Sequence, residues 1–210
     1  MSLIAFFGAL ESGLIYGLVA LGVLISFRTL DFPDLTADGS FPLGGAVAGI
    51  SIIAGINPWL ACAFGMLAGS VAGIVTAWLH VKLGILQLLA SILVMVALYS
   101  VNLRIMGAPN LPLLGETTVF STLVTDGNGY WMRCLIIGVV VAAAMLFLNW
   151  FYSTETGLSM RATGSNLRMA QAQGINTSWM TIIGMAISNG LIALAGALFV
   201  QTQGGADISI

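Results

Sequence analysis

The sequence is poor in charged residues. Aspartate, glutamate, lysine and arginine make up only 7% of its 210 residues, and Lys82 is the only lysine. A water-soluble domain carries about 25% charged residues, so this chain lacks the polar surface that would keep a globule in solution. With 59% hydrophobic residues and a mean hydropathy of +1.03, it is predicted to reside in a lipid bilayer. Its net charge of −2 is too small to favour binding to nucleic acid.

The residue patterns of enzymes and cofactor sites are also missing. The sequence has no G-x-x-x-x-G-K-[ST] loop, which would bind the phosphates of ATP. Its single histidine, His80, has no G-x-S-x-G partner. Cys62 and Cys134 are far apart and lack the C-x-x-C spacing of metal or redox sites. These absences predict that the chain is not an enzyme and binds no cofactor or metal.

Long apolar runs dominate the sequence. A helix needs about 20 apolar residues to cross the hydrocarbon core, and all runs but the second are long enough. The first run is interpreted as a retained transmembrane helix, because it lacks the basic leader of a signal peptide and is too long for one. We predict an all-α polytopic bundle that forms a single membrane domain, 1–210, with one short or broken helix. The spans are predicted near residues 3–27, 43–56 (the short or broken one), 58–79, 83–103, 132–152 and 179–200.

Glycine recurs at intervals of four in several of these runs. Small residues at this spacing let helix backbones approach each other closely in a bilayer. We expect these faces to pack against other helices of the same chain, although such a face can also join two copies of one span. The residues are Gly13 and Gly17 in the first run, Gly45 and Gly49 in the second, and Gly65, Gly69 and Gly73 in the third.

Lysine and arginine predict the orientation, because these residues remain on the cytoplasmic side. Arg161 and Arg168 place the loop that contains them in the cytoplasm, and Lys82 marks a second cytoplasmic turn. The loop 107–130 is then predicted to be outside. The side of the N-terminus depends on whether residues 28–42 reach the cytoplasm or fold back inside the membrane, and the sequence leaves both open.

Residues 28–45 combine three aspartates with two prolines between apolar runs. Proline removes an amide donor and restricts the residue before it, so one continuous helix is not expected here. If the segment enters the bilayer, it lines a cavity, because irregular backbone there needs burial in protein or contact with water. If it is a surface loop, the aspartates are simply solvated. In the first case Asp38 is the candidate for capping the following helix and Asp34 for contacting a solute, with Asp31 as the third acidic residue.

Two further polar residues lie within apolar runs. Glu11 is in the first run, where an ionisable group is either functional or close enough to the headgroups to reach water. Asn189 in the last run is more typical of a hydrogen bond between helices than of a solute ligand. Both are retained as candidates for a solute path, together with Asp31, Asp34 and Asp38.

The most informative segment runs from Gly157 to Leu198, where a polar stretch with two arginines passes into a glycine- and alanine-rich span. Ser165 is predicted to cap a short helix that ends before Gly174, a residue type that tolerates the left-handed backbone at a helix end. The segment resembles the coupling loop of permease subunits of ATP-binding-cassette importers, of the branched-chain amino acid and ribose kind. The pattern G-x-x-x-R-A-x-x-x-N-x-x-x-A-x-x-x-G-I is matched by Gly157, Arg161, Ala162, Asn166, Ala170, Gly174 and Ile175.

The resemblance implies a function and a set of partners. The chain would be a permease of the bacterial plasma (inner) membrane that forms the path for a small polar solute, an amino acid. A separate subunit would use ATP and contact residues 155–178 through the motif residues and Arg168. A binding protein outside would deliver the solute, and a second permease chain, giving a homodimer, would face the first. The string LDFPDLTADGSFPLGG resembles that of permeases usually called uncharacterised or aromatic amino acid permeases.

Two alternatives stay open at this stage. The leading one from another class is a small channel or ion-coupled carrier that needs no ATPase. The other concerns length, because permeases of this kind continue beyond a GGADIS-like motif, whereas this sequence ends at Ile210. The chain is therefore expected to be either a C-terminally truncated permease or a naturally short one, which would lack the second half of the path.

Overall fold

The computed structural model describes residues 3–123 and 129–208, and these are mostly helical. The all-α bundle predicted from the sequence is confirmed. In chain order the elements are α1 (Leu3–Val23), which continues into a π-helical turn (Leu24–Thr29), α2 (Ala37–Ile53), α3 (Pro58–Leu83), α4 (Gln87–Met106), β1 (Asn110–Pro112), α5 (Val119–Leu123), α6 (Gly129–Ser153), α7 (Glu155–Ser165), α8 (Leu167–Ala172), α9 (Thr177–Gln203) and β2 (Gly205–Asp207).

Within the described residues, 5 helices are long and apolar enough to cross a membrane. They correspond to the predicted long spans, with ends that differ by a few residues because exact helix ends depend on caps and packing. These spans are Ala5–Thr29, Pro58–Leu83, Gln87–Met106, Trp131–Ser153 and Thr177–Gln203.

Helix α2 corresponds to the short apolar run, as predicted, and has 17 residues, fewer than the spans. Its start was predicted wrongly at Leu43. The helix begins at Ala37 and contains Pro42. Pro42 lies in the second turn and removes one backbone hydrogen bond, because it has no N–H group. The amides of the first turn keep their acceptor, since Gly39 and Ser40 both donate to the Thr36 carbonyl, at 2.9 and 2.8 Å. The helix therefore tolerates Pro42.

Helix α9 lies at the centre of the bundle and is buried along most of its length. The glycines of α3 pack against it, as predicted. A side chain at Gly69 would meet the Ala193 side chain and the Asn189 carbonyl, and one at Gly73 would meet the Met185 carbonyl. Glycine is required at these positions because the two backbones approach too closely for a Cβ atom.

The glycines of α1 do not behave in this way. A Cβ atom added at Gly13 or Gly17 would meet no atom of the described residues within 4 Å. The prediction that this face packs inside the chain is therefore wrong. Spacing of small residues shows only that close approach is possible, whereas the partner helix is chosen by the whole bundle.

The bundle has two distinct ends. Helices α7 and α8 lie at one end, called here the docking end. At the other end, called the ribbon end, β1 and β2 pair antiparallel with Leu111 opposite Ala206. Strand β1 lies within the segment predicted as an outer loop, 107–130, of which residues 124–128 lie outside the described residues. Strands of three residues carry no periodic signal, so the sequence could not reveal this pairing.

The chain reverses direction between α1 and α2. At the docking end the hydroxyl groups of Thr29 and Tyr152 are hydrogen-bonded at 2.9 Å. Asp31 then adopts a left-handed backbone with φ 53°, and the chain turns back until Ser40 meets Asn189 in the middle of α9. Residues 28–42 thus start at the docking end and then fold back into the bundle.

Candidate functional site

Five polar residues meet in the interior of the bundle, and we call them the buried polar cluster. The Asp34 carboxylate accepts hydrogen bonds from the Thr36 amide at 2.8 Å and from Asn189 Nδ2 at 2.7 Å. Ser40 donates to Asn189 Oδ1 at 2.6 Å, and the hydroxyl groups of Thr36 and Thr76 are 2.9 Å apart. Each of these side chains is at most 2% exposed. The cluster joins the chain reversal to α2, α3 and α9.

Local sequence explains why Asp34 occupies the centre of this cluster. A short acidic side chain bonds readily to the backbone two residues further along and so replaces a helical turn. Here the acceptor lies directly before α2, and the amide it accepts from belongs to Thr36, the N-cap residue of that helix. Burying a carboxylate is costly unless hydrogen bonds satisfy it, so the bonds from Thr36 and Asn189 hold the turn in one geometry.

Asp34 and Asp38 lie in environments opposite to their predicted roles. Asp34, the candidate for solute contact, is 2% exposed and has both carboxylate oxygens hydrogen-bonded. Asp38, the candidate for capping, is exposed in the first turn of α2 and lines a cavity together with Tyr99 and Asn102 of α4. The sequence could not distinguish them, because the fold alone decides which face of the turn is covered.

The remaining candidates for the solute path do not join the cluster. Glu11 is half-buried on α1 and interacts with the positive charge of Arg133 on α6. Asp31 is exposed at the chain reversal. Asn189 does form hydrogen bonds between elements, as its type and position favoured. Sequence analysis missed Thr36, Ser40 and Thr76; only their positions beside acidic or glycine-rich segments could have suggested them.

The docking end is built from two capped helices. Thr154 caps α7 by accepting from the Gly157 amide at 3.3 Å, and Asn166 caps α8 by accepting from the Met169 amide at 3.0 Å. The cap predicted at Ser165 is wrong, since this hydroxyl donates to the Ala162 carbonyl. An amide side chain with extended backbone satisfies the first turn of α8. The predicted left-handed glycine after the helix is confirmed, with φ 81° at Gly174.

The motif residues divide between the interior and the surface. Gly157 and Ala170 are buried within this chain, so their side of the motif is not open to another subunit. Gly157 is needed because an added Cβ atom would strike the Phe151 carbonyl. Arg161 and Asn166 are exposed, as are Arg168 and Gly174, while Ala162 and Ile175 are half-buried.

Three apolar side chains accompany the exposed arginines. Leu158, Leu167 and Met169 are 54%, 52% and 62% exposed. With Arg161 and Arg168 they form what we call the docking surface. Large apolar residues next to charge at the tip of a bundle are typical of a surface that another protein covers. The sequence could have indicated this surface, because Leu167 and Met169 flank Arg168 within a polar segment.

Helix α7 is firmly connected to the rest of the bundle. Met160 is fully buried, and Gly184 of α9 packs closely against both Met160 and Leu30. Gly164 lies so close to the Thr29 carbonyl that any side chain would overlap it. Displacement of α7 would therefore act directly on α9 and on the chain reversal.

Fold and site together define a polytopic helical membrane protein with two short capped helices at one end. The chain belongs to the family described as branched-chain amino acid transport system / permease component, whose sequence profile matches residues 5–210. This membership and the membrane spans identify a multi-pass protein of the inner membrane.

Similar proteins are transport permeases where they carry a functional name. The tyrosine transport system permease protein of Clostridioides difficile (strain R20291) is 39% identical over 96% of this chain and 66% of its own length. The uncharacterized protein RP368 of Rickettsia prowazekii (strain Madrid E) is 36% identical over 96% of this chain and 70% of its own length. The probable branched-chain amino acid transport permease protein LivH of Methanocaldococcus jannaschii is 25% identical over 90% of this chain and 64% of its own length. No solved structure matches the chain.

Proposed function

We propose that this chain is the membrane-spanning permease subunit of an ATP-binding-cassette importer whose solute is an amino acid. The observation that carries the proposal is the docking surface, where apolar residues and arginines are presented on two capped helices. A channel or ion-coupled carrier has no need for such an element. The names of the tyrosine and branched-chain amino acid relatives support the solute class.

The contacts of α7 suggest how ATP would drive the path. A separate ATPase subunit would cover the docking surface and move it as ATP binds. The movement would pass through Met160 to Leu30 and Gly184, which touch each other. Leu30 begins the chain reversal and Gly184 belongs to α9, and these two elements are joined again by the bond between Asp34 and Asn189. The buried polar cluster would thus act as the hinge of the path.

The chain itself would neither bind ATP nor catalyse a reaction, and would need no cofactor. Within the described residues there is no group of three or more His, Cys, Asp or Glu side chains that could hold a metal ion. A binding protein would deliver the solute at the ribbon end. A second copy of the permease would face the first and complete the path, as the resemblance to two-chain permeases implies.

The proposal is tested by ATP-dependent uptake in proteoliposomes. The chain is reconstituted with an ATPase and a binding protein encoded beside it, and uptake of labelled tyrosine and leucine is measured. Leu167→Glu should uncouple uptake from ATP hydrolysis. Leu114→Glu is the matched control, because Leu114 is 88% exposed and follows β1 at the ribbon end. Uptake that needs no ATPase, or equal coupling in both variants, would contradict the proposal.

A further inference from the structure

The cavity beside the start of α2 carries an incompletely bonded polar side chain. Asn102 of α4 lines this cavity and is 1% exposed. Its Nδ2 atom donates to the Gly39 carbonyl at 3.3 Å, which fixes the orientation of the amide, because the flipped form would set two acceptors against each other. Oδ1 then has no hydrogen-bond partner within the described part of the chain. Leaving a buried acceptor unsatisfied is costly, so the site favours a ligand that donates.

The charge of the side chains that line the cavity also favours a ligand that donates hydrogen bonds. Asp38 contributes a carboxylate, and the lining includes no lysine or arginine. The amides of Asp38 and Gly39 are bonded to the Leu35 and Thr36 carbonyls, so the start of α2 offers no free donors there for an anion. Tyr99 adds a phenol hydroxyl, which can donate or accept, so the lining as a whole favours a cation with hydrogen-bond donors over an anion.

The rest of the cavity is apolar and of suitable size. Its volume is about 330 Å³, and Pro42, Met95, Val96 and Tyr99 contribute to the wall. Sites for small molecules commonly have volumes of about 300–1,000 Å³ and apolar walls with few polar groups. The cavity lies about half-way along α4, because Gly39 beside it packs against Leu98, and it opens to the surface of the chain at Val96 and Tyr99.

We infer that this cavity binds the primary ammonium group of an apolar amino acid, with Asp38 as counter-ion and Asn102 Oδ1 as a second acceptor. An ammonium group has three N–H donors, which is enough for both acceptors. The lining offers no cation to the amino acid's carboxylate, which would point out of the cavity. The inference rests on the proposed function for the class of solute and adds the residues that select it.

The inference is tested by protection of a single cysteine in the full chain, purified in lipid nanodiscs. Val96, which is 60% exposed in the cavity wall, is replaced by cysteine after Cys62 and Cys134 have been replaced by serine. The rate of maleimide labelling is measured with phenethylamine and with 3-phenylpropionate, which share a ring but differ in charge. We expect phenethylamine to slow labelling and 3-phenylpropionate to have no effect.

Two variants test the role of Asp38. Asp38→Asn should raise the phenethylamine concentration for half protection about tenfold, as expected for loss of a hydrogen bond to a charged group. Asp31→Asn removes an exposed carboxylate that does not line the cavity, and should leave protection unchanged. Equal protection by both probes, protection by potassium ions alone, or no effect of Asp38→Asn would overturn the inference. The assay contains no ATPase, so its failure is distinct from a failure of ATP-coupled uptake.

Discussion

Asn189 Nδ2 donates to the Asp34 carboxylate at 2.7 Å, which joins two buried residues 155 positions apart in the chain. The bond fixes the chain reversal to the centre of α9. It also leaves Asp34 no free carboxylate oxygen, since the Thr36 amide occupies the other one.

Replacing Asp34 should destabilise the fold. Asp34→Ala leaves the Thr36 amide without its acceptor and leaves Asn189 Nδ2 with only the Met185 carbonyl, at 3.3 Å, and a buried unsatisfied group costs about 1–3 kcal/mol. We expect the free energy of unfolding in mixed micelles to fall by about 3 kcal/mol. Glu116→Ala removes an exposed carboxylate near the ribbon end and should have little effect. Equal stability of the two variants would show that the cluster does not hold the reversal.

Asp34→Asn tests the hydrogen bond between Asn189 and Asp34 separately from the one that the Thr36 amide donates. Asp34→Asn can still accept from the Thr36 amide, but its own NH₂ group would face that of Asn189. We expect a loss of stability of about 1–3 kcal/mol, and uptake should fall together with assembly. Size-exclusion profiles and uptake per correctly assembled complex separate the two effects. Normal assembly with reduced uptake would instead support direct contact of Asp34 with the solute.

Two glycines with the same spacing pattern should respond differently to alanine. Gly69→Ala would place a methyl group against the Ala193 side chain and the Asn189 carbonyl, and overpacking of this kind costs about 1–3 kcal/mol. Gly13→Ala meets no described atom within 4 Å and should be neutral in the isolated chain. Thermal unfolding in detergent measures both. A destabilising effect of Gly13→Ala only in the assembled complex would place a second chain against α1.

The backbone at Asp31 predicts an unusual order of substitutions. Its φ of 53° is open to glycine, tolerated by aspartate and asparagine, and unfavourable for a β-branched residue by about 1–2 kcal/mol. Asp31→Val should therefore destabilise the chain, whereas Asp31→Gly and Asp31→Asn should not. Because Asp31 is exposed, the order reports backbone strain and not packing. If Asp31→Val unfolds like the wild-type chain, the reversal is not held in this geometry.

Labelling of single cysteines tests the orientation. In a background without Cys62 and Cys134, a cysteine at Ser165 should react with an impermeant reagent only after cell lysis. One at Leu114 should react in intact cells. Both positions are exposed, at opposite ends of the bundle, which makes them a matched pair. Reaction of the Ser165 variant in intact cells would invert the topology and contradict docking of a cytoplasmic ATPase.

Local sequence patterns predict the helical membrane fold, the long spans and the polar segment that forms α7 and α8. These depend on local properties: apolar runs long enough to cross a bilayer, and a pattern of capping and small residues around Arg161 and Arg168. The left-handed backbone at Gly174 is also a local property, because a helix end imposes a backbone geometry that few residue types adopt.

Which polar residues meet depends on how the helices pack in three dimensions. Asp34 and Asp38 are alike in type and four positions apart, yet packing against α9 buries one and leaves the other exposed in a cavity with Asn102. The glycine faces of α1 and α3 share a spacing, yet only that of α3 has a partner within the described residues. In each case the outcome depends on contacts between residues far apart in the chain, and local sequence patterns do not encode such contacts.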